Sequence, residues 1–131
     1  MSNHNFQKHI PDLLKLCQDV GQIQLDGQKN LNINLKSDNT PVTNIDIRSS
    51  ELIVSYLSRT FIGDTIISEE SDVTTNKKTS YWLVDPIDGT KNYIKGGEQF
   101  CICISYIHNS YPSFGIIYIP SSKEFYYASS G

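Results

Sequence analysis

The run Trp82-Leu83-Val84-Asp85-Pro86-Ile87-Asp88-Gly89-Thr90 carries an apolar strand into two carboxylates three positions apart and then into a small polar turn. Proline fixes its own φ and biases the preceding Asp85 toward extended backbone, while Gly89 permits close approach to the main chain. Such a segment can hold a hard divalent cation between Asp85 and Asp88, with the Gly89 and Thr90 amides and the Thr90 hydroxyl facing a bound anion. A D-P-x-D-G sequence is also an ordinary turn, because Asp, Pro and Gly favour turns without any chemistry. Its neighbours in the chain decide between the two.

Upstream, residues 65–68 read as a short buried strand that delivers the acidic pair Glu69-Glu70. Before it, Pro41-Val42-Thr43-Asn44-Ile45-Asp46 opens a helical pattern with Thr43 as a candidate N-cap. Asp46 in the first turn suits the helix macrodipole on charge grounds alone, and Glu69-Glu70 suits a solvated strand end.

Taken together, a lysine-bearing loop, V-T-x-x-D at 42–46, S-E-E at 68–70 and W-x-V-D-P-I-D-G-T at 82–90 stand in an order that resembles the inositol monophosphatase superfamily of metal-dependent, lithium-sensitive phosphatases. The continuation Gly89-Thr90-Lys91-Asn92-Tyr93-Ile94-Lys95, followed by Glu98-Gln99-Phe100, looks more like the 3'(2'),5'-bisphosphate nucleotidase branch than the inositol phosphatase branch, whose turn continues T-N-F.

Hydrolysis of a phosphate monoester is very slow in water, so a catalyst must neutralise charge and deliver an activated water in line with the leaving group. The resemblance implies that two or three Mg²⁺ ions do this. It makes Glu69, Asp85, Asp88 and the backbone carbonyl of Ile87 metal ligands. It pairs Asp46 with Thr90 to orient and deprotonate the attacking water, gives Glu70 the part of a base or water ligand behind the metals, and assigns phosphate binding to Gly89 and Thr90 together with Glu69. Lys36 resembles a family position near a third metal, and Lys91 could meet a substrate phosphate; both also suit exposed loop lysines. The implied substrate is a small phosphorylated molecule of the 3'(2')-phosphoadenosine 5'-phosphate type, with an inositol phosphate, or an inactive remnant, as the alternatives.

The family's W-D-x-x-A motif, source of a further metal-binding aspartate, has no match here, and the single tryptophan is Trp82. Residues 1–131 therefore read as the N-terminal part of such an enzyme, one apparently truncated domain. A face left uncovered in that way would favour self-association.

Composition is consistent with this reading. Net charge is −3 and the 11 basic residues form no dense run, which argues against a nucleic-acid polymer as partner. No apolar stretch approaches the roughly 18 residues of a membrane span, and the polar N-terminus has no signal-peptide pattern, so the expected location is the cytoplasm. Three cysteines make an odd set, expected to be buried free thiols, with Cys101 and Cys103 on one face of a strand. Neither C-x-x-C nor H-x-x-x-H spacing occurs, which argues against a zinc site.

These residues have to be positioned by α+β architecture: two helices packed on an antiparallel sheet, which the resemblance extends to the N-terminal part of a layered α/β sandwich. Spacing predicts a first helix over 11–26 ended by Gly27, and a strand over 31–35 before the polar loop from Lys36 to Pro41. A second helix follows Thr43, with Ile47, Val54, Leu57 and Phe61 inward. Antiparallel strands are predicted over 100–107, 113–119 and 124–128, their tyrosines in packing roles.

Overall fold

The computed structural model describes residues 4–69 and 79–130. Helix α1 (Phe6–Gly27) and helix α2 (Asn44–Thr60) lie against one face of a five-stranded sheet built from β3 (Ile66–Ser68), β4 (Tyr81–Asp88), β5 (Cys101–His108), β6 (Tyr111–Ile119) and β7 (Glu124–Ser129). Strands β1 (Ile33–Leu35) and β2 (Pro41–Thr43) form a separate hairpin, and a five-residue helix α3 (Thr90–Ile94) follows β4. No helix among the described residues is long and apolar enough to cross a membrane.

The α+β expectation holds, with one difference in topology. The sheet order is β3-β4-β5-β6-β7, and β3 runs parallel to β4 while every other pair is antiparallel. Strands β5 and β6 turn over at Asn109 (φ 49°) and Ser110 (φ 67°), two consecutive left-handed residues of the kind that match a right-twisted hairpin.

Helix α1 begins five residues before the predicted start, so Pro11 lies within it. The extra turn is held by apolar contact: the Phe6 ring stacks on Phe114 at 4.5 Å and Ile10 packs on the core. Proline removes one intrahelical hydrogen bond there, in a turn exposed to water at Gln7, where the loss is least costly. Residue Ile47, expected inward, is instead exposed, and the buried stripe of α2 runs through Ile45, Ile53 and Leu57. Those positions follow the 3.6-residue period from the N-cap.

The core between helices and sheet is formed by Leu13, Val20, Ile53, Leu57, Trp82 and Ile104, all at most 1% exposed. Burial of each such side chain contributes about 1.5–3 kcal/mol. A second, smaller cluster of Ile45, Ile87, Tyr93 and Phe100 sits where β4 meets α3, under the segment that could do chemistry. Phe100, predicted to begin a strand, belongs to this cluster just before β5. The opposite face of the sheet carries Leu83, Ile117 and Tyr126, 40, 45 and 53% exposed.

Candidate metal and phosphate site

A register shift at the end of β4 places the two key carboxylates. Asp85 pairs with Cys103 and Asp88 with Cys101, so three steps along β4 match two along β5. Strict alternation would send residues 85 and 88 to opposite faces. The bulge, with Pro86 inside it, inserts the extra residue and returns both aspartates to the face that carries Cys101 and Cys103, while Pro86 and Ile87 turn inward.

Glu69 reaches the same place by another route. In the parallel pair Ser68 stands beside Val84, and the Glu69 amide donates to the Val84 carbonyl at 3.1 Å, which continues the ladder by one step and brings Glu69 level with Asp85. Both carboxylates thus leave the C-terminal ends of adjacent parallel strands. The cleft they enter has a volume of about 410 Å³ and is lined by Glu69, Asp85, Ile87, Asp88, Gly89 and Thr90. Lys36 and Asp38 of the β1–β2 hairpin and Lys91 and Asn92 of α3 complete its wall. Both lysines singled out in the sequence therefore face the cleft. Asp38 was not singled out; it accepts from the Thr40 hydroxyl and amide, which hold its carboxyl below the usual range. Glu70 lies outside the described residues.

Gly89 turns the chain from β4 into α3. Its φ is 94°, and a Cβ there would meet the Gln99 carbonyl oxygen at 2.8 Å, so both conformation and space require glycine.

Asp46 is wholly buried and serves two partners at once. Its Oδ2 accepts from the Thr43 amide at 2.9 Å and from the Thr43 hydroxyl, closing a capping box at the start of α2. Its Oδ1 accepts from the Thr90 hydroxyl at 3.2 Å, and the same hydroxyl lies 3.1 Å from the Ile87 carbonyl. The helix-start role read from the sequence is real, and it occupies one oxygen only. Thr90 is what connects the other oxygen to the cleft.

Beneath the bulge, Gln24 of α1 is fully buried and donates to the Pro86 carbonyl at 2.8 Å and to the Ser49 hydroxyl at 3.1 Å. The Tyr93 hydroxyl donates to the Gln24 carbonyl, and Gln28 donates to the Tyr93 and Gly97 carbonyls at 3.0 and 2.9 Å. The end of α1 thereby ties β4, α2 and α3 together. Gln24 continues the series Leu13, Cys17 and Val20 at helical spacing, and a polar residue on that apolar face is the signal that could have found it.

The cysteines depart from expectation in part. Cys17 is buried, and desolvation pushes its thiol up to about 12. Cys101 and Cys103 share a face as predicted but are only half-buried, because that face of the sheet is open. Burial first, then the neighbouring Cys101 and the Asp88 and Asp85 carboxylates, push the Cys103 thiol up to about 12.

The donors fit a hard cation. Carboxylates and a main-chain carbonyl are the oxygen ligands that Mg²⁺ and Ca²⁺ select. Among the described residues, the group of three ligand atoms that all lie within 4.8 Å of one another is Asp88, Cys101 and Cys103; the Glu69, Asp85 and Asp88 set is spread more widely around the cleft. A pair of ions about 3.5–4 Å apart calls for ligands spread over more than one coordination sphere.

The model of the inositol monophosphatase family matches residues 8–131. The 3'(2'),5'-bisphosphate nucleotidase CysQ of Salmonella typhimurium is 38% identical over 129 residues, covering 93% of this chain and 52% of that protein. An inositol monophosphatase (IMPase) structure from Thermotoga maritima superposes with a TM-score of 0.84 at 28% identity, over 95% of this chain and 49% of the other. A structure of an IMPase/NADP phosphatase complexed with Mg²⁺ and phosphate gives 0.80 at 25% identity, over 96 and 48%. The chain spans about half the length of the curated relatives it matches.

Proposed function

Because the chain belongs to the inositol monophosphatase family, we propose that it supplies the metal- and phosphate-binding portion of a Mg²⁺-dependent phosphomonoester hydrolase acting on a 3'(2')-phosphoadenosine 5'-phosphate-type nucleotide. Glu69, Asp85, Asp88 and the Ile87 carbonyl would hold two or three ions. Magnesium, when bound, supplies charge neutralisation at the phosphoryl group and lowers the pKa of a coordinated water. Thr90 orients the attacking water through its hydroxyl, and Asp46 takes the proton by way of that hydroxyl. The Gly89 and Thr90 amides, at a turn the glycine alone can adopt, hold phosphate oxygens. Lys91 stands at the cleft wall to meet a second phosphate of the substrate. Glu70 keeps the role of a base or water ligand behind the metals.

The observation that carries this reading is the shared Thr90 hydroxyl, poised between the Asp46 carboxylate and the Ile87 carbonyl beside a cleft of oxygen donors. A nucleotide is favoured over an inositol phosphate by the G-T-K continuation and by the nucleotidases among the relatives. The test is phosphate release in Mg²⁺ from 3'-phosphoadenosine 5'-phosphate and from inositol 1-phosphate, using this chain fused to the C-terminal half of the Salmonella relative. Faster turnover of the nucleotide is expected. Preference for the inositol phosphate would reassign the substrate, and turnover unaffected by chelation of the metal would overturn the mechanism.

A further inference from the structure

The sheet face away from the helices carries two thiols that the phosphatase reading leaves unused, beside one carboxylate that it does use. Cys101 and Cys103 alternate onto one face of β5, and the bulge in β4 sets Asp88 opposite Cys101. The two sulfurs are 3.7 Å apart, and the Cys101 Sγ is 3.9 Å from Asp88 Oδ2. We propose that Asp88, Cys101 and Cys103 form a site for a thiophilic divalent cation of the zinc class. Its occupancy would draw Asp88 away from the magnesium cleft.

The distances suit that ion. Two thiolates at about 2.3 Å from a tetrahedral zinc stand about 3.8 Å apart, and a thiolate and a carboxylate oxygen at about 2.1 Å stand about 3.6 Å apart. The sulfur pair already has this spacing, the Asp88 oxygen is 3.9 Å from the Cys101 sulfur, and all three ligand atoms lie within 4.8 Å of one another, so a rotation of the Asp88 side chain by about an ångström toward Cys103 closes the site. In this 131-residue chain both thiols are half-buried, which leaves them within reach of an ion from solvent. A water can take the fourth position.

A direct disulfide suits the pair less well. Residues two apart on a strand have Cα atoms about 6.6 Å apart, near the upper end of the range that disulfides span. Hard and soft cations would therefore sort between neighbouring donor sets, oxygen ligands in the cleft for Mg²⁺ and the thiol pair for the zinc class, with Asp88 common to both. The absence of C-x-x-C spacing does not exclude this site. On a strand, C-x-C puts both thiols on one face, and the third ligand comes from the neighbouring strand.

The sharing of Asp88 rests on the proposed phosphatase site, whereas the cation site itself does not. The experiment is a titration of the reduced 131-residue chain with Cd²⁺, reading the ultraviolet thiolate-to-cadmium band, and with Co²⁺ to report tetrahedral geometry. Saturation at one cation per chain is expected. Cys101→Ser and Cys103→Ser should each remove about half the band and weaken binding at least about tenfold, Asp88→Asn should weaken binding about tenfold with the band intact, and Cys17→Ala should change neither. An unchanged band in the Cys101 and Cys103 variants, an endpoint at half an equivalent, or indifference to Asp88→Asn would overturn the site. Millimolar Mg²⁺ should move the Cd²⁺ midpoint upward. A fixed midpoint would overturn the sharing of Asp88, and absence of phosphate release from the fused enzyme alongside an intact thiolate band in the 131-residue chain would overturn the phosphatase reading alone.

Discussion

The Thr90 hydroxyl lies 3.2 Å from Asp46 Oδ1, joining the first turn of α2 to the first residue of α3 across 44 positions of sequence. The other Asp46 oxygen is committed to Thr43, so one buried carboxylate both caps a helix and faces the proposed chemistry. The two roles are separable because they use different oxygens.

Asp46→Asn separates them by measurement. The asparagine can turn its carbonyl oxygen to Thr43 and its amide to the Thr90 hydroxyl, and the Thr43 hydroxyl still caps the Asp46 amide, so urea unfolding should show a loss of less than about 1 kcal/mol. Turnover of the fused enzyme should fall by about 10²–10⁴-fold, the range for a lost general base. The Mg²⁺ concentration for half-maximal activity should move far less. A parallel loss in metal affinity and turnover would make Asp46 a metal ligand or a helix-stabilising residue instead.

Gly89→Ala tests the turn. A methyl group 2.8 Å from a backbone oxygen, on a residue with φ of 94°, has nowhere to go without moving the chain between β4 and α3. A destabilisation of about 1–3 kcal/mol is expected from the backbone strain. Any protection by Mg²⁺ and phosphate against thermal unfolding should vanish with it. A variant with wild-type melting temperature and wild-type ligand shift would mean that the turn is not under these constraints.

The helices, most strands, the Thr43 cap and the order of the acidic motifs were legible because each depends on local spacing. The bulge was not. Asp85 and Asp88 stand an odd number of residues apart, which alternation alone sends to opposite faces, and only the pairing with Cys103 and Cys101 reveals the extra residue. Cross-strand information of that kind also decided the parallel β3–β4 pair, which sets Glu69 beside Asp85. Gln24 and Asp38 escaped for a related reason: one is a donor to a carbonyl 62 positions away, the other reaches the cleft only when β1 and β2 close into a hairpin.

Divalent cations should stabilise the folded chain, since an ion that binds only the native state adds RT ln(1 + [L]/Kd), about 1.4 kcal/mol at ten times Kd. Mg²⁺ or Ca²⁺ at millimolar concentration is expected to raise the melting temperature, and Asp85→Asn to abolish the rise. A melting curve unmoved across the titration would count against the oxygen site.

Cys17 should make stability fall in alkali. Burial lifts its thiol from 9.0 to about 12 in the native state. A group whose native pKa is raised contributes stability that is complete below the unfolded value and is lost as pH rises toward the native one. Above pH 9 the unfolded chain releases this proton while the folded chain keeps it, a loss of about 1.4 kcal/mol per pH unit. Urea unfolding between pH 8 and 10.5 should therefore show a steeper decline for the wild type than for Cys17→Ala. Equal slopes would place the thiol in contact with solvent.

Gln24 offers the most direct test of what holds the bulge in place. Its side-chain amide donates to the Pro86 carbonyl from a position with no exposure to water. In Gln24→Glu an ionised carboxylate of nearly the same shape would face that carbonyl with no proton to share, and a buried charge without a partner is strongly unfavourable. The substituted carboxyl should hold its proton in the native state, raising its pKa above the unfolded value of about 4.3. Stability of the variant should accordingly approach that of the wild type near pH 4, where the protonated acid can donate to Pro86 as the amide does. It should fall away as pH rises toward neutrality, by about 1.4 kcal/mol per unit until the native group ionises. Mg²⁺-dependent protection, which needs Asp85 and Asp88 on one face, should weaken over the same interval. A Gln24→Glu variant with a flat stability profile between pH 4 and 8 would mean that the side chain has turned away and that the bulge is fixed by Pro86 alone.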